Sequence, residues 1–301
     1  MSEVVTLGET MVTLYPQEPI TLDIADTLAL NIGGAESNLA IGLRRLGHTT
    51  RFISRVGVDP FGQRVRTILE HEGVDTEYLI DDPEVQTGIY FREWLADGAR
   101  RVYYYRAGSA ASCMSPDDLQ PAAFTDARIV HLTGITPALS PSCSATISHA
   151  MELARAAGAQ ISFDPNYRAR LWDTETAKAT LIPLIEHADI LLIGHEDAQA
   201  VLGEDQPERI LERATQLGPT IIVLKLAEQG VLALADGEIA QVPAHPVEQV
   251  IDPVGAGDGF NAGFLAGLLR GYAMTDALGL GARVGAAAVA SLGDYHGYPH
   301  M

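Results

Sequence analysis

Ile251-Asp252-Pro253-Val254-Gly255-Ala256-Gly257-Asp258-Gly259-Phe260 is the stretch from which the rest of the chain can be read. Three small residues, Gly255 to Gly257, turn the backbone sharply just before Asp258. The following segment, Phe260 to Leu269, is small and apolar, as a buried helix requires. Glycines at a helix N-terminus leave several backbone N–H groups unshielded, and such a terminus binds anions. A carboxylate placed there would repel an arriving phosphate. The two features fit together if Asp258 is a base facing a hydroxyl while the amides of Gly255, Ala256 and Gly257 hold a phosphoryl group in transfer. The chemistry implied is ATP-dependent phosphorylation of an alcohol. An Asp that only caps the helix would stand at the same place. Capping, however, needs no pair of glycines, which lose more entropy on folding than alanines do.

Outward from this stretch, apolar strands alternate with helical segments. Strands read at Val4–Leu7, Thr50–Arg55, Ala127–Leu132, Ala159–Asp164, Ile190–Ile193, Thr220–Leu224 and Val231–Leu234. Helices read at Glu36–Leu46, Phe61–Glu72, Ser142–Ala157, Ala177–His187 and Asp205–Gln216. The alternation predicts an α/β fold, a mostly parallel sheet with helices on both faces. Thr13–Leu30 and Gly88–Tyr105 break the rhythm. The second reads as a hairpin, with a turn at Asp97-Gly98 between Gly88–Leu95 and Arg101–Tyr105. Aromatic residues on both of its faces need cover on both sides. A small lid over an active site, packed also on a second subunit, would supply that cover.

The chain has 301 residues, 47% of them hydrophobic, enough for one large domain. A formal charge of −19 argues against nucleic acid and against anionic membrane surfaces as partners. Two cysteines, Cys113 and Cys143, suit a reducing cytoplasm better than a disulfide framework. No apolar run is long enough to span a bilayer. Lys178 and Lys225 are the only lysines, so a site for anionic ligands must gather its positive charge from a few placed arginines, one lysine, helix N-termini and Mg2+.

Asp252-Pro253-Val254-Gly255-Ala256-Gly257-Asp258 resembles the C-terminal signature of the PfkB, or ribokinase-like, carbohydrate kinases. Asn31-Ile32-Gly33-Gly34-Ala35-Glu36-Ser37-Asn38 resembles that family's N-terminal sugar-binding segment. The resemblance covers the whole chain. It implies a single ribokinase-like αβα sandwich over residues 1–301, with a β lid formed by inserts at about 13–32 and 86–107. It implies ATP and Mg2+ as cofactors, a cytoplasmic enzyme, and a homo-oligomer joined through the lid.

Within the family, Asp164-Pro165-Asn166-Tyr167-Arg168 running on to Leu171-Trp172, and Tyr104-Tyr105-Arg106-Ala107-Gly108-Ser109-Ala110, resemble the 2-keto-3-deoxygluconate kinase branch. A substrate carboxylate wants a guanidinium, and Arg106 and Arg168 aimed at one pocket would favour a sugar acid. The branch implies that Gly34, Tyr90, Tyr104, Arg106, Arg168, Asp258 and Asp294 contact the sugar. It implies that Asn166, Arg168, Lys225, Gly230, Gly255 and Gly257 contact the nucleotide. Asp252, Glu196 and Asp197 would act on the metal indirectly, Asp252 by orienting a metal water or the turn itself. Two positions depart from the family pattern: Gly194 stands for a metal-linked Asn, and Ala282 for an adenine-side Asn. A kinase of a neutral sugar and a non-catalytic sugar-binding sensor of the same fold remain alternatives.

Overall fold

Strand residues divide by parity between two cores. Val4, Phe52, Ile129 and Leu192 face one apolar cluster, and their neighbours Val5, Ile53, Val130 and Ile193 face another. Successive side chains of a strand point to opposite faces, so a sheet covered by helices on both sides must bury both sets. The computed structural model, which describes residues 2–95 and 100–301, shows this sheet with nine strands. Their order is β13-β12-β11-β10-β9-β8-β1-β4-β5. In chain order they are β1 (Val4–Leu7), β4 (Thr50–Gly57), β5 (Leu79–Asp82), β8 (Ile129–Thr133), β9 (Gln160–Asp164), β10 (Ile190–Gly194), β11 (Ile221–Lys225), β12 (Val231–Ala235) and β13 (Glu238–Val242). Pairing is parallel from β5 to β11 and antiparallel through β12 and β13.

Helices α1 (Ala35–Arg45), α2 (Pro60–His71), α7 (Ala256–Leu269) and α8 (Met274–Val289) cover the first face. The second is covered by α3 (Pro141–Ala157), α4 (Thr174–Glu186), α5 (His195–Leu202) and α6 (Pro207–Leu217). Local chemistry fixes several ends. Asp59 accepts from the amides of Phe61 and Gly62 with Pro60 opening α2, and Ser140 accepts from Cys143 at the start of α3.

The two segments that broke the sequence rhythm form a separate four-stranded sheet. Its order is β3-β2-β6-β7, from β2 (Met11–Tyr15), β3 (Ala29–Gly33), β6 (Ile89–Trp94) and β7 (Arg100–Tyr105). β6 and β7 pair antiparallel, with Tyr90 opposite Tyr104, as the hairpin reading requires. The turn expected at Asp97-Gly98 lies outside the described residues. The chain runs outward from β1 to β4 and β5 on one side, then returns to β8 on the other. The crevice outside the carboxyl ends of β1 and β8 is therefore the switch point where such sheets place ligands. Among the described residues, no helix is long and apolar enough to cross a membrane.

Candidate active site

Gly255 stands at φ 81, in the left-handed region, and a β-carbon on it would fall inside the Asp294 carbonyl. Only glycine fits there. The turn it makes releases α7 from Ala256 onward, earlier than the apolar run alone suggests. The Ala256 amide is bonded to the Pro253 carbonyl at 3.3 Å. Gly257 and Asp258 are the next two positions of the helix, whose amides have no intrahelical acceptor. Gly257 is exposed and Asp258 half-buried, so the first of these donors stands at the surface of the crevice.

Asp258 sits among them on the first turn. Its Oδ2 accepts from Asn38 Nδ2 at 2.8 Å, which joins the glycine turn to α1. Burial pushes its carboxyl up to about 6, against the pull of the Asn38 hydrogen bond and the nearby Arg168 charge. A carboxyl tuned to that range is ionised at neutral pH yet basic enough to accept a hydroxyl proton in a transition state.

Beside the turn, Lys225 closes β11 and places Nζ 2.7 Å from Asp164 Oδ2 and 3.2 Å from Asn261 Oδ1. Asn261 Nδ2 donates to the same Asp164 oxygen at 2.7 Å. Burial works to raise the Asp164 carboxyl, but the Lys225 ammonium and these hydrogen bonds outweigh it and hold the group below the usual range. Its stabilising contribution is therefore present above the unfolded value near 3.9 and lost as pH falls through the lower folded value. Lys225→Met would leave Asp164, 2% exposed, without its cation. The expected cost is about 3–5 kcal/mol in chemical denaturation at pH 7, together with a raised KM for ATP. An unchanged midpoint would show that Asn261 alone satisfies Asp164.

Asn166, at φ 39, donates its amide to Asp164 Oδ1 at 3.0 Å, and Arg168, two residues on, is exposed. Among the described residues Arg168 forms no ion pair, although its charge is felt at Asp258 and at Asp197. Asp197 lies on the first turn of α5, a helix the sequence reading passed over. Burial, then the Asp164 charge, pushes its carboxyl up to about 6. Glu196 is exposed. No group of three or more His, Cys, Asp or Glu among the described residues could hold a metal by itself.

On the other side of the turn, Tyr90 is buried and donates from its hydroxyl to Asp294 Oδ2 at 2.9 Å. Tyr104 lies across the ladder from Tyr90, with ring centroids 5.7 Å apart. Asp252 accepts from the Val254 amide at 3.2 Å and pairs with Arg92 at 3.0 Å. Of the two indirect roles expected for Asp252, these contacts support the one in the turn. Arg106 is paired with Glu9, which is 2% exposed and also takes the Ser109 hydroxyl. The expected clamp arginine thus arrives with a carboxylate already against it. Gly34 has an extended backbone, and its missing side chain makes room for the Glu9 carbonyl. Gly230, at φ 90, is required by the Val242 carbonyl in the same way.

The sequence reading assigned no role to Glu9, Glu36, Asn38, Arg92, Asn261 or Tyr298. Glu36 is 1% exposed, and its Oε1 accepts from Thr133 at 2.7 Å and Thr136 at 3.0 Å across the crevice. Burial pushes its carboxyl up to about 7 despite those bonds. Tyr298 donates to the Gly255 carbonyl at 2.6 Å. Asn38 lies inside the N-terminal sugar-binding segment and Asn261 one residue beyond the glycine-turn stretch, and polar residues in otherwise small, apolar helix starts are the available signal.

A base set beside unpaired amides at the carboxyl edge of a parallel sheet equips a protein to transfer a phosphoryl group to an alcohol. The chain belongs to the pfkB family of carbohydrate kinases, whose model matches residues 1–301. It is 36% identical to a 2-dehydro-3-deoxygluconokinase of Bacillus subtilis, over 99% of this chain and 92% of that one. Among solved structures, a 2-dehydro-3-deoxygluconokinase of Thermotoga maritima superposes with a TM-score of 0.90 at 29% identity, covering 98% of this chain and 96% of that one. A putative ribokinase II of E. coli in complex with ATP and Mg2+ superposes with a TM-score of 0.90 at 26% identity, covering 99% and 96%.

Proposed function

We propose that this kinase transfers the γ-phosphoryl group of ATP to the terminal hydroxyl of 2-keto-3-deoxygluconate, the compound also written 2-dehydro-3-deoxygluconate. The carrying observation is Asp258, held by Asn38 beside the open amides of the glycine turn. The named activities of the Bacillus and Thermotoga relatives support the choice of sugar acid.

Asp258 takes the proton of the attacking hydroxyl while the hydroxyl oxygen forms the new bond to the γ-phosphorus and the β–γ bridging oxygen leaves with ADP. The Gly255, Gly257 and Asp258 amides hold the migrating group, the Ala256 amide being taken by the Pro253 carbonyl, and Lys225, 3.9 Å from where a β-carbon on Gly257 would stand, lends positive charge to that space. Lys225, Asn166, Arg168, Gly230, Gly255 and Gly257 are the residues to hold the nucleotide. Bound ATP with Mg2+ supplies the phosphoryl group and neutralises its charge. The absence of an all-protein metal cage among the described residues fits a Mg2+ that comes with the phosphates and keeps its waters. Asp197 and Glu196 would face that ion through water, and Asp252 would act on it only through the turn.

The smaller sheet serves as the lid. Tyr90 and Tyr104 meet the sugar from its inner face, with Gly34 and Asp294 at the floor. Arg106 and Arg168 reach the carboxylate. The lid's outer face carries a hollow of about 590 Å³ lined in part by Phe91, Tyr103 and Tyr105, suited to a second copy of the chain, which sedimentation velocity in the analytical ultracentrifuge tests. A cytoplasmic location accords with the two unpaired cysteines.

Turnover with ATP and 2-keto-3-deoxygluconate, measured against fructose and ribose, is the direct test. A higher kcat/KM for either neutral sugar would refute the sugar-acid assignment, and no turnover with any would favour a binding protein. Arg106→Ala should lower kcat/KM for the acid by about 10²-fold, as losing charge-assisted hydrogen bonds does. Residual turnover of a neutral sugar should change far less, and equal losses would sink the clamp.

A further inference from the structure

Arg92 is an arginine of the smaller sheet buried to 4% exposure. Its Nη1 lies 3.0 Å from Asp252 Oδ2 and 3.2 Å from Asp294 Oδ1, both carboxylates buried. The Tyr15 ring, from β2 of the same sheet, lies under the guanidinium at 4.5 Å. Both carboxylates belong to the glycine turn's own supports. Asp252 holds the Val254 amide one residue before Gly255, and the Asp294 backbone is what Gly255 packs against. Asp294 also takes the Tyr90 hydroxyl. One guanidinium thus joins the sheet that covers the site to the turn at its floor.

Stability gives little reason to bury such a cluster. Replacing a buried ion pair by apolar groups is often neutral or stabilising, and among the described residues Arg92 Nη2 has no hydrogen-bond partner here. Position is the better reason. Without the cation, two buried carboxylates would face each other, and at least one would have to protonate or move. Either change reaches Gly255 within one or two residues.

We propose that Arg92 is a positioning residue that acts through Asp252 and Asp294 to hold the Gly255–Asp258 turn in register with the smaller sheet. This role presupposes that the turn receives the phosphoryl group. Arg92 touches neither reactant. It sets the geometry in which Asp258 and the free amides meet a hydroxyl presented from the sheet.

The test compares Arg92→Ala, Arg92→Lys and the double variant Arg92→Met/Asp252→Asn with wild type, using ATP and 2-keto-3-deoxygluconate. Arg92→Ala should lose about 10²-fold in kcat, the scale of an ångström-sized misplacement, with KM for ATP changed by less than about threefold. Millimolar guanidinium chloride should recover about tenfold of that loss by filling the vacated site between the carboxylates. Arg92→Lys, which keeps the charge but not the fork, should fall between wild type and Arg92→Ala. If Arg92→Ala does not fold, the double variant decides, because it removes one charge of each sign. It should stay folded with a kcat as low as predicted for Arg92→Ala. A folded Arg92 variant with near-wild-type kcat, or a loss confined to KM, overturns the proposal. Should Asp258→Asn be inactive while Arg92→Ala is fully active, only the Arg92 role falls. Should Asp258→Asn be active, the assignment of the turn itself falls.

Discussion

Asp258→Asn should lower kcat by about 10²- to 10⁴-fold, the range for loss of a general base, while ATP binding measured by calorimetry stays within about threefold. The amide can still accept the Asn38 hydrogen bond that Asp258 accepts at 2.8 Å, so the turn should keep its shape. What it cannot do is take a proton. Because burial holds the Asp258 carboxyl at about 6, wild-type kcat/KM should rise about tenfold per pH unit below that value and level off above it. The variant should show no such limb. The same burial carries a second sign. A carboxyl raised from 3.8 to about 6 on folding is stabilising while protonated, and that stability is lost as pH rises through this window. At pH 8 the variant should therefore melt above wild type. A variant that melts lower and keeps its turnover would remove Asp258 from the chemistry altogether.

Gly255→Ala should be nearly as damaging for a different reason. An alanine at φ 81 carries about 1–3 kcal/mol of backbone strain. Strain alone would destabilise the protein without stopping it. The β-carbon, however, falls inside the Asp294 carbonyl, which is backbone and cannot swing aside like a flexible side chain. The turn must shift, and the amides shift with it. Losing aligned oxyanion-type donors lowers kcat by about 10²- to 10³-fold. Gly271→Ala provides the comparison, since Gly271 has φ 70 but nothing within 4 Å of the added carbon. It should lose stability of similar backbone origin and keep its kcat. Equal effects on kcat at the two glycines would mean that contact with Asp294 is immaterial.

Much of the fold could be read from the chain because strand periodicity and glycine placement are local signals. The strands expected at Val4–Leu7 and Ile190–Ile193 lie where apolar runs end in turns, and the structure has them within a residue. β5 and β13 escaped because they are short, carry acidic or exposed residues, and sit at the sheet's two edges, where pairing rather than burial defines a strand. α5 escaped because His195-Glu196-Asp197 draws the eye as metal chemistry, although an acidic first turn is also ordinary helix capping by charge.

The site divides in the same way. Asp258 and the glycine turn are contiguous, so their meeting is written in one motif. Arg92 meets Asp252 across 160 residues, and nothing local in Phe91-Arg92-Glu93 distinguishes it from the solvated arginines of an exposed strand. Glu9 against Arg106 is of the same kind: a pairing between distant segments that only packing reveals.

The smaller sheet has one more consequence. Tyr90, Arg92 and Tyr104 share one of its faces, and the spacing among them is fixed by ladder hydrogen bonds that cannot stretch without breaking the sheet. Their distance from Asp258 is set elsewhere: by the Arg92 and Tyr90 contacts to Asp252 and Asp294, and by the four places where the chain crosses between sheets, at Gly8, Gly34, Gly88 and Gly108. The first three pack against Glu36 or Glu9, whereas Gly108 stands in open space. If the smaller sheet holds the sugar as proposed, its register decides which molecule is held, and its mounting decides where that molecule meets Asp258.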